Sequence, residues 1–424
     1  MDLIEIIGGS PLEGEIQISG SKNASLPMMI ASLLTKEKVE LDNIPNLSDV
    51  LILVELMKSL GAEIQFDQSS DLKNKITCTT KEILNTEASY NLVRKMRASF
   101  WVLAPLIARH GEAKVSLPGG CAIGTRPIDF YLSILKKMGV TLDLKEGYVF
   151  ASIKSRLKPL DFSLDFPSVG VTHFFLMMSS LADGRSIIKN AAKEPEVIAL
   201  AEMLIKMGAK IKGHGSDIII VDGVANLNGT KVSIPPDRIE AGTFAIAVSA
   251  TGGSISLKGV NPNEINLLTN LLEQSGTKIS SDGNRLNIKK DNKIIKPMDI
   301  STAPYPGFPT DLQAQFMALM ALGNGRSTIK ENIFENRFMH VQELARFGAK
   351  IKLKADTAIV EGIKEFNSAP VMATDLRASA SLIIAALSAK GKSSIRRIYH
   401  LDRGFDKIEN KLKSCGAKIE RKRD

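Results

Sequence analysis

The chain has 424 residues, 44% of them apolar and 24% charged, which excludes a disordered polymer and leaves room for two ordinary domains. Three cysteines (Cys78, Cys121, Cys415) with no C-x-x-C spacing and no Cys/His cluster give neither a disulfide framework nor a zinc site. A formal charge of +9 suits small anionic substrates or a solvated surface, and no basic stripe interleaved with aromatics offers a platform for nucleic acid.

From the N-terminus, "MDLIEIIGGS" shows no basic leader followed by an apolar stretch, and no later run reaches the roughly 20 apolar residues of a membrane span. The cytoplasm is the expected location. "GEIQISGSKNASLP" then reads as a strand, followed by Lys22 and Asn23 at the start of an apolar helix. A lysine there can meet an anion at a helix N-terminus, or stand in a solvated turn.

That apolar helix is the first of six: "ASLPMMIASLL", "SFWVLAPLIARH", "VTHFFLMMSSLA", "AGTFAIAVSATG", "LQAQFMALMALG" and "ASASLIIAALSAKG". Their near-continuous apolarity predicts burial on most sides. Each is followed by a strand phrase such as "GRSIIKNAA" or "GGSISLKGV". Next comes a second helix ending in "LMKSLGAEIQF", "LKKMGVTLDL", "LIKMGAKIKG", "LLEQSGTKIS", "LARFGAKIKL" or "LKSCGAKIER". The glycines of this last phrase, Gly61, Gly139, Gly208, Gly276, Gly348 and Gly416, recur every 68 to 78 residues. Six copies at a nearly fixed period form an internal repeat. The phrase predicts a glycine at positive φ just past a helix, then an alternating strand. The proline-rich "SIPPDR" between the third and fourth copies marks the boundary between two groups of three.

Candidate chemistry lies in the turns. "SLPGGCAIGTRPID" sets Cys121 after two glycines and five residues before Arg126, which alone supports a turn bearing a thiol. Arginines recur in "RKMRASFW" (Arg97), "FENRFMH" (Arg337), "TDLRASAS" (Arg377) and "HLDRGFD" (Arg403), and guanidinium forks suit phosphate and carboxylate. Arg97 and Arg377 both precede "AS" at corresponding buried helices of the two halves, a symmetry that points to an arginine-lined cleft. Asp311 and Asp375 each follow a threonine and open an apolar helix, as a helix cap or as a general base.

In chain order, "SGSKNASLP", "LPGGCAIGTRPID", "FPSVG", "NAAKEPEV", "PDRIEAGTF", "YPGFPTDLQAQF", "IFENRFMHV", "TDLRASASL" and "RIYHLDRGFDKIE" closely resemble the UDP-N-acetylglucosamine enolpyruvyl transferases, from end to end. The resemblance implies an α/β fold of two inside-out domains, each of three similar repeat units, with helices in the core, sheets outside and the active-site cleft between the domains. It implies a first domain over residues 22–235 and a second over 1–21 and 236–424. It implies transfer of the enolpyruvyl group of phosphoenolpyruvate to the 3-hydroxyl of UDP-N-acetylglucosamine with release of phosphate, the first committed step of peptidoglycan synthesis. No metal or other cofactor, no nucleic acid and no membrane is expected, and the chain would act as a monomer or weak homo-oligomer.

The resemblance also implies roles. Lys22 and Asn23 would hold phosphoenolpyruvate with Arg126 and Arg403. Cys121 would be the general acid, able also to form a covalent adduct with phosphoenolpyruvate. Asp311 would take the proton of the sugar 3-hydroxyl. Arg97, Arg126, Pro127, Ile128, Asp129, Phe130, Phe166, Pro167, Ser168, Val169 and Ile333 would contact the UDP-sugar, and Arg377 would sit in the cleft as a closed-state or phosphate contact, with Asp375 beside it.

Two positions depart from the family pattern: His173 and Phe174 follow "FPSVGVT" in place of Glu-Asn, and Ser48 stands where a lysine is common. The first change bears on the support of the nucleotide loop and the second removes a cation. His173 is expected to be a helix residue satisfied by a neighbour. Two other readings differ in what they bind: a shikimate-phosphate enolpyruvyl transferase, and a weakened paralogue that binds UDP-sugar for regulation.

Overall fold

The computed structural model describes residues 2–68, 74–118, 128–292 and 294–423. The described residues divide into two compact units: one holds those from Gly20 to Pro235, and the other joins the N-terminal segment through Ser19 to those from Pro236 onward. Each unit has its own apolar core.

All six repeats build the same unit: a buried helix, a strand, a helix ending in the recurrent glycine, and three more strands. In the first repeat these are Lys22–Ala31, Val39–Asp42, Ser48–Ser59, Glu63–Asp67, Lys75–Thr79 and Glu87–Ala88. Each sheet has four strands, with one parallel pair and two antiparallel pairs. The parallel partner always comes from a neighbouring repeat: Glu87–Ala88 leaves the first repeat to lie beside Glu112–Ser116 of the second. In the first unit the last strand, Thr230–Ser233, returns to pair with Val39–Asp42 and closes the three repeats into a ring.

The second unit closes the same way with strands from the other end of the chain. Asp2–Ile7 inserts between Lys392–Arg396 and Lys418–Arg423, with Ile4 opposite both Ile395 and Arg421. Leu12–Gln17 pairs in parallel with Gly253–Lys258. The sixth repeat is therefore split, its last two strands being the first two of the chain.

The recurrent glycines behave as their spacing predicts. All six have φ between +88° and +104°, a region costly to residues with a Cβ. At each, the glycine N–H bonds the carbonyl three residues back, and the next N–H bonds the carbonyl five residues back, as in Gly208 to Ile205 and Ala209 to Leu204. This paired closure satisfies the last helical carbonyls and turns the chain into the strand.

The apolar helices lie in the cores: every residue of Gln313–Met320 is buried, as are Ala24 to Ala31 in Lys22–Ala31 and Arg377 to Leu387 in Leu376–Ser388. The second repeat departs from the expected regular helix. Its segment is a tight 3-10 turn over Arg97–Val102, a short α turn over Leu103–Pro105 and a wide turn over Leu106–His110. Pro105 lacks the N–H that a regular helix needs at this point, so the hydrogen-bond pattern changes around it. No helix among the described residues is long and apolar enough to cross a membrane.

Candidate active site

In the second unit, Asp311 sits in the 3-10 turn Thr310–Leu312 that leads into Gln313–Met320. Its Oδ1 accepts a 2.8 Å bond from Arg337 Nη2, and its Oδ2 a 2.6 Å bond from Arg377 Nη2. Both arginine side chains are 4% exposed, while the carboxylate between them is 26% exposed. Buried guanidinium groups need a counter-charge, and Asp311 supplies it to both. The planes also lie against rings, Arg337 at 5.5 Å from Phe334 and Arg377 at 5.9 Å from Phe405. Arg337 Nε and Arg377 Nη1 are buried with no hydrogen-bonding partner among the described residues, so each retains a donor for an incoming acceptor.

The two acidic candidates separate here. Asp375 caps Leu376–Ser388, its Oδ1 accepting from the backbone N–H of Arg377 at 2.8 Å and of Ala378 at 3.0 Å. It takes the cap reading. Asp311 lies inside its turn, whose cap position is Pro309. His340 and His400 lie within the electrostatic reach of Asp375. Burial pushes His340 down to about 4, with Asp375 opposing and Arg337 assisting. Burial also lowers His400, with Arg403 assisting. Arg403 ends the turn Ile398–Arg403, which is entered through Arg397 at φ +58°.

Ile333 follows the strand Arg326–Lys330 and is held by Glu331, a 3% exposed residue that carried no signal in the sequence. One Glu331 oxygen accepts from Thr302 Oγ1 at 2.9 Å and from the N–H groups of Ile333 and Phe334 at 2.9 and 3.2 Å. The other accepts from Thr310 Oγ1 at 3.0 Å. A single carboxylate thus ties the Ile333 loop to the turn that carries Asp311.

In the first unit, Lys22 is the first residue of Lys22–Ala31, whose cap is Ser21, accepting from Ala24 N–H at 3.3 Å. Lys22 Nζ lies 3.0 Å from Asp49 Oδ2, and Asp49 is only 1% exposed. Asp49 is a partner that sequence reasoning missed, since "NLSDV" reads as an ordinary helix start. Beside it, Ser48 Oγ is buried without a hydrogen-bonding partner among the described residues.

The expected UDP-sugar residues of this unit lie on three segments. Half-buried Arg97 opens the turn Arg97–Val102. Ile128, Asp129 and Phe130 begin the helix Asp129–Lys137, and Phe166, Pro167, Ser168 and Val169 lead into Val169–Ser179. Ser168 caps that last helix, accepting from Val171 N–H at 3.4 Å. Cys121, Arg126 and Pro127 fall outside the described residues.

The departure at His173 and Phe174 resolves into an aromatic cluster. Phe174 meets Tyr131 edge-on at 5.1 Å, Tyr131 meets Phe100 at 5.7 Å, and His173 meets Trp101 at 5.5 Å. His173 is fully buried, and neither ring nitrogen has a hydrogen-bonding partner among the described residues. Its neighbours are the Trp101 ring and the backbone of Glu196. Burial holds its pKa at about 4, with the backbone of Glu196 opposing. Cys78 and Cys415 are buried, and burial raises both thiols, as suits inert residues.

Comparison with known proteins adds a separate line. Residues 6–412 match the profile of the EPSP synthase (3-phosphoshikimate 1-carboxyvinyltransferase) family. The chain is 53% identical over 426 residues to the UDP-N-acetylglucosamine 1-carboxyvinyltransferase of Xanthobacter autotrophicus, covering 99% of each chain. It is 52% identical over 430 residues to that of Methylorubrum extorquens, covering all of both chains. Among solved structures, the enolpyruvyl transferase NikO from Streptomyces tendae superposes with a TM-score of 0.88 at 24% identity, over 99% of this chain and 98% of that one. EPSP synthase from Acinetobacter baumannii gives 0.76 at 17% identity over the full length of both. These last two likenesses establish the fold.

Proposed function

The chain belongs to the EPSP synthase (3-phosphoshikimate 1-carboxyvinyltransferase) family, and from that we propose that it transfers the enolpyruvyl group of phosphoenolpyruvate to the 3-hydroxyl of UDP-N-acetylglucosamine, releasing phosphate, as the first committed step of peptidoglycan synthesis. The observation that carries the choice of acceptor is identity above 50% over the full length with relatives named for that sugar nucleotide. The Asp311 clamp supports it, as an oriented carboxylate beside two buried guanidinium groups.

The chemistry assigns work to each group. The sugar oxygen adds to C2 of phosphoenolpyruvate as its proton leaves to Asp311, while the C3 methylene gains a proton from the Cys121 thiol. The resulting tetrahedral adduct loses a C3 proton and breaks its C–O bond to phosphate, restoring the double bond. Negative charge gathers on the departing phosphate, where fixed cations stabilise it. Lys22, Asn23, Arg126, Arg377 and Arg403 take that part. Lys22 starts a helix, so the helix dipole adds to its charge. Arg97, residues 126–130 and 166–169, Asp311 and Ile333 hold the UDP-sugar. We assign the activity to the cytoplasm, with the chain acting as a monomer or weak homo-oligomer and using neither nucleic acid nor membrane.

The test is phosphate release from phosphoenolpyruvate by the purified protein. Release that requires UDP-N-acetylglucosamine is expected; release that instead requires shikimate 3-phosphate, or none with either acceptor, overturns the reading.

A further inference from the structure

We propose that Trp101 and Tyr131, neither of which is among the residues assigned to substrate, form a brace that sets the register of the UDP-sugar segments, so that Tyr131 is a positioning residue for nucleotide-sugar affinity. The inference rests on the acceptor reading above.

The brace is built from three segments that are far apart in the chain. Trp101 belongs to the turn that Arg97 opens. Tyr131 is the third residue of the helix begun by Asp129 and Phe130. Gly170 is the second residue of the helix capped by Ser168. Trp101 Nε1 donates to Tyr131 Oη at 3.3 Å. Gly170 fits against both: a Cβ there would stand 2.6 Å from Tyr131 Oη and 3.0 Å from the Trp101 ring. The three first-unit segments that carry expected nucleotide-sugar contacts therefore rest on one junction.

The junction is stiff because the core surrounds it. Tyr131 is 8% exposed and meets Phe100 and Phe174 edge-on, while His173 meets the Trp101 ring. Edge-on aromatic packing fixes ring planes as well as area. His173 is neutral near pH 7, its pKa being held at about 4 by burial, so it adds no charge beneath the nucleotide segments. A glycine at 170 is required by this close approach, since its helical backbone would accept any residue.

The experiment is Tyr131→Phe in the full chain, which removes one hydroxyl and keeps the ring contacts. Losing one neutral hydrogen bond corresponds to a change of about 2- to 10-fold. The KM for UDP-N-acetylglucosamine should rise by that factor, with kcat within about twofold and the KM for phosphoenolpyruvate unchanged. Trp101 is the single tryptophan of the chain, so its emission reports this junction alone. The emission of the variant should differ from wild type before ligand is added, and its titration with UDP-N-acetylglucosamine should need correspondingly more ligand. Gly170→Ala, which wedges the junction open, should shift the same KM further. Unchanged kinetics in a folded Tyr131→Phe protein, or a fall in kcat with both KM values unmoved, overturns the brace while leaving the acceptor reading intact. A wild-type protein that never uses UDP-N-acetylglucosamine overturns both.

Discussion

Asp311 and Arg377 are joined by a 2.6 Å bond between side chains 66 residues apart, and the same carboxylate serves Arg337 with its other oxygen. Asp311→Asn keeps the shape and removes the charge. Turnover should fall by about 10²- to 10⁴-fold, the usual worth of a positioned base. The variant should also melt earlier, because two buried guanidinium groups lose their counter-charge, at a cost of about 3 kcal/mol. Phosphate-release kinetics and a denaturant titration measure the two effects separately. Turnover within tenfold of wild type would remove Asp311 from the role of base.

Lys22 makes an equally buried pair with Asp49. Lys22→Ala removes the cation 3.0 Å from the 1% exposed carboxylate, so a stability loss of about 3 kcal/mol is expected together with loss of activity. Asp49→Asn combined with Lys22→Ala should restore most of the stability and none of the turnover. Recovery of activity in the double variant would contradict direct binding of phosphoenolpyruvate by Lys22.

Cys121→Ala should lose most turnover with an unchanged melting curve. Cys121→Asp, which keeps a group able to donate a proton, should retain substantially more activity at mildly acidic pH. Near-normal turnover of the alanine variant at neutral pH refutes the acid role.

His173 predicts an acid-sensitive fold. Its pKa is about 4 when folded and near 6.5 when unfolded, so the unfolded chain binds the extra proton between those values. Stability from this group is complete above about pH 6.5 and is lost as pH falls toward 4, to an extent on the order of 3 kcal/mol. His173→Phe should flatten the pH dependence of urea midpoints between pH 7 and 4.5. An identical slope in the variant would show that other groups set it.

Among the recurrent glycines, substitution should separate backbone strain from collision. At Gly139, φ +95°, a Cβ would meet only Lys158 methylenes at 3.6 Å, so Gly139→Ala should cost about 1–2 kcal/mol from φ alone. At Gly61 the same atom would lie 2.8 Å from the Leu84 backbone nitrogen, and Gly61→Ala should cost clearly more. Equal midpoints in guanidinium titrations would count against this distinction.

The sequence revealed the periodic features and concealed the paired ones. Six glycine phrases announced six helix ends because a C′ glycine is required by local geometry, and all six occur. Near-continuous apolarity announced core helices for the same local reason. Pro105 is visible in the sequence, yet the apolar run predicts one regular helix because its hydrophobicity outweighs the missing donor. Asp49, Glu331 and the Tyr131 hydroxyl escaped because each acts on a partner distant in sequence, and a lone carboxylate or phenol has no periodic signature. Asp311 and Asp375 looked alike in the sequence; only the cap bonds of one and the guanidinium bonds of the other tell them apart.

The split sixth repeat sets a timetable for synthesis. Asp2–Ile7 is synthesised long before its neighbours Lys392–Arg396 and Lys418–Arg423. The unit from Gly20 to Pro235 can assemble while translation continues, because its ring closes on its own strand Thr230–Ser233. The other unit must hold an apolar strand unpaired until Lys392–Arg396 and Lys418–Arg423 have been made, and its ring closes only then. Until those strands are made, Asp2–Ile7 is an unpaired strand of the kind that aggregation exploits.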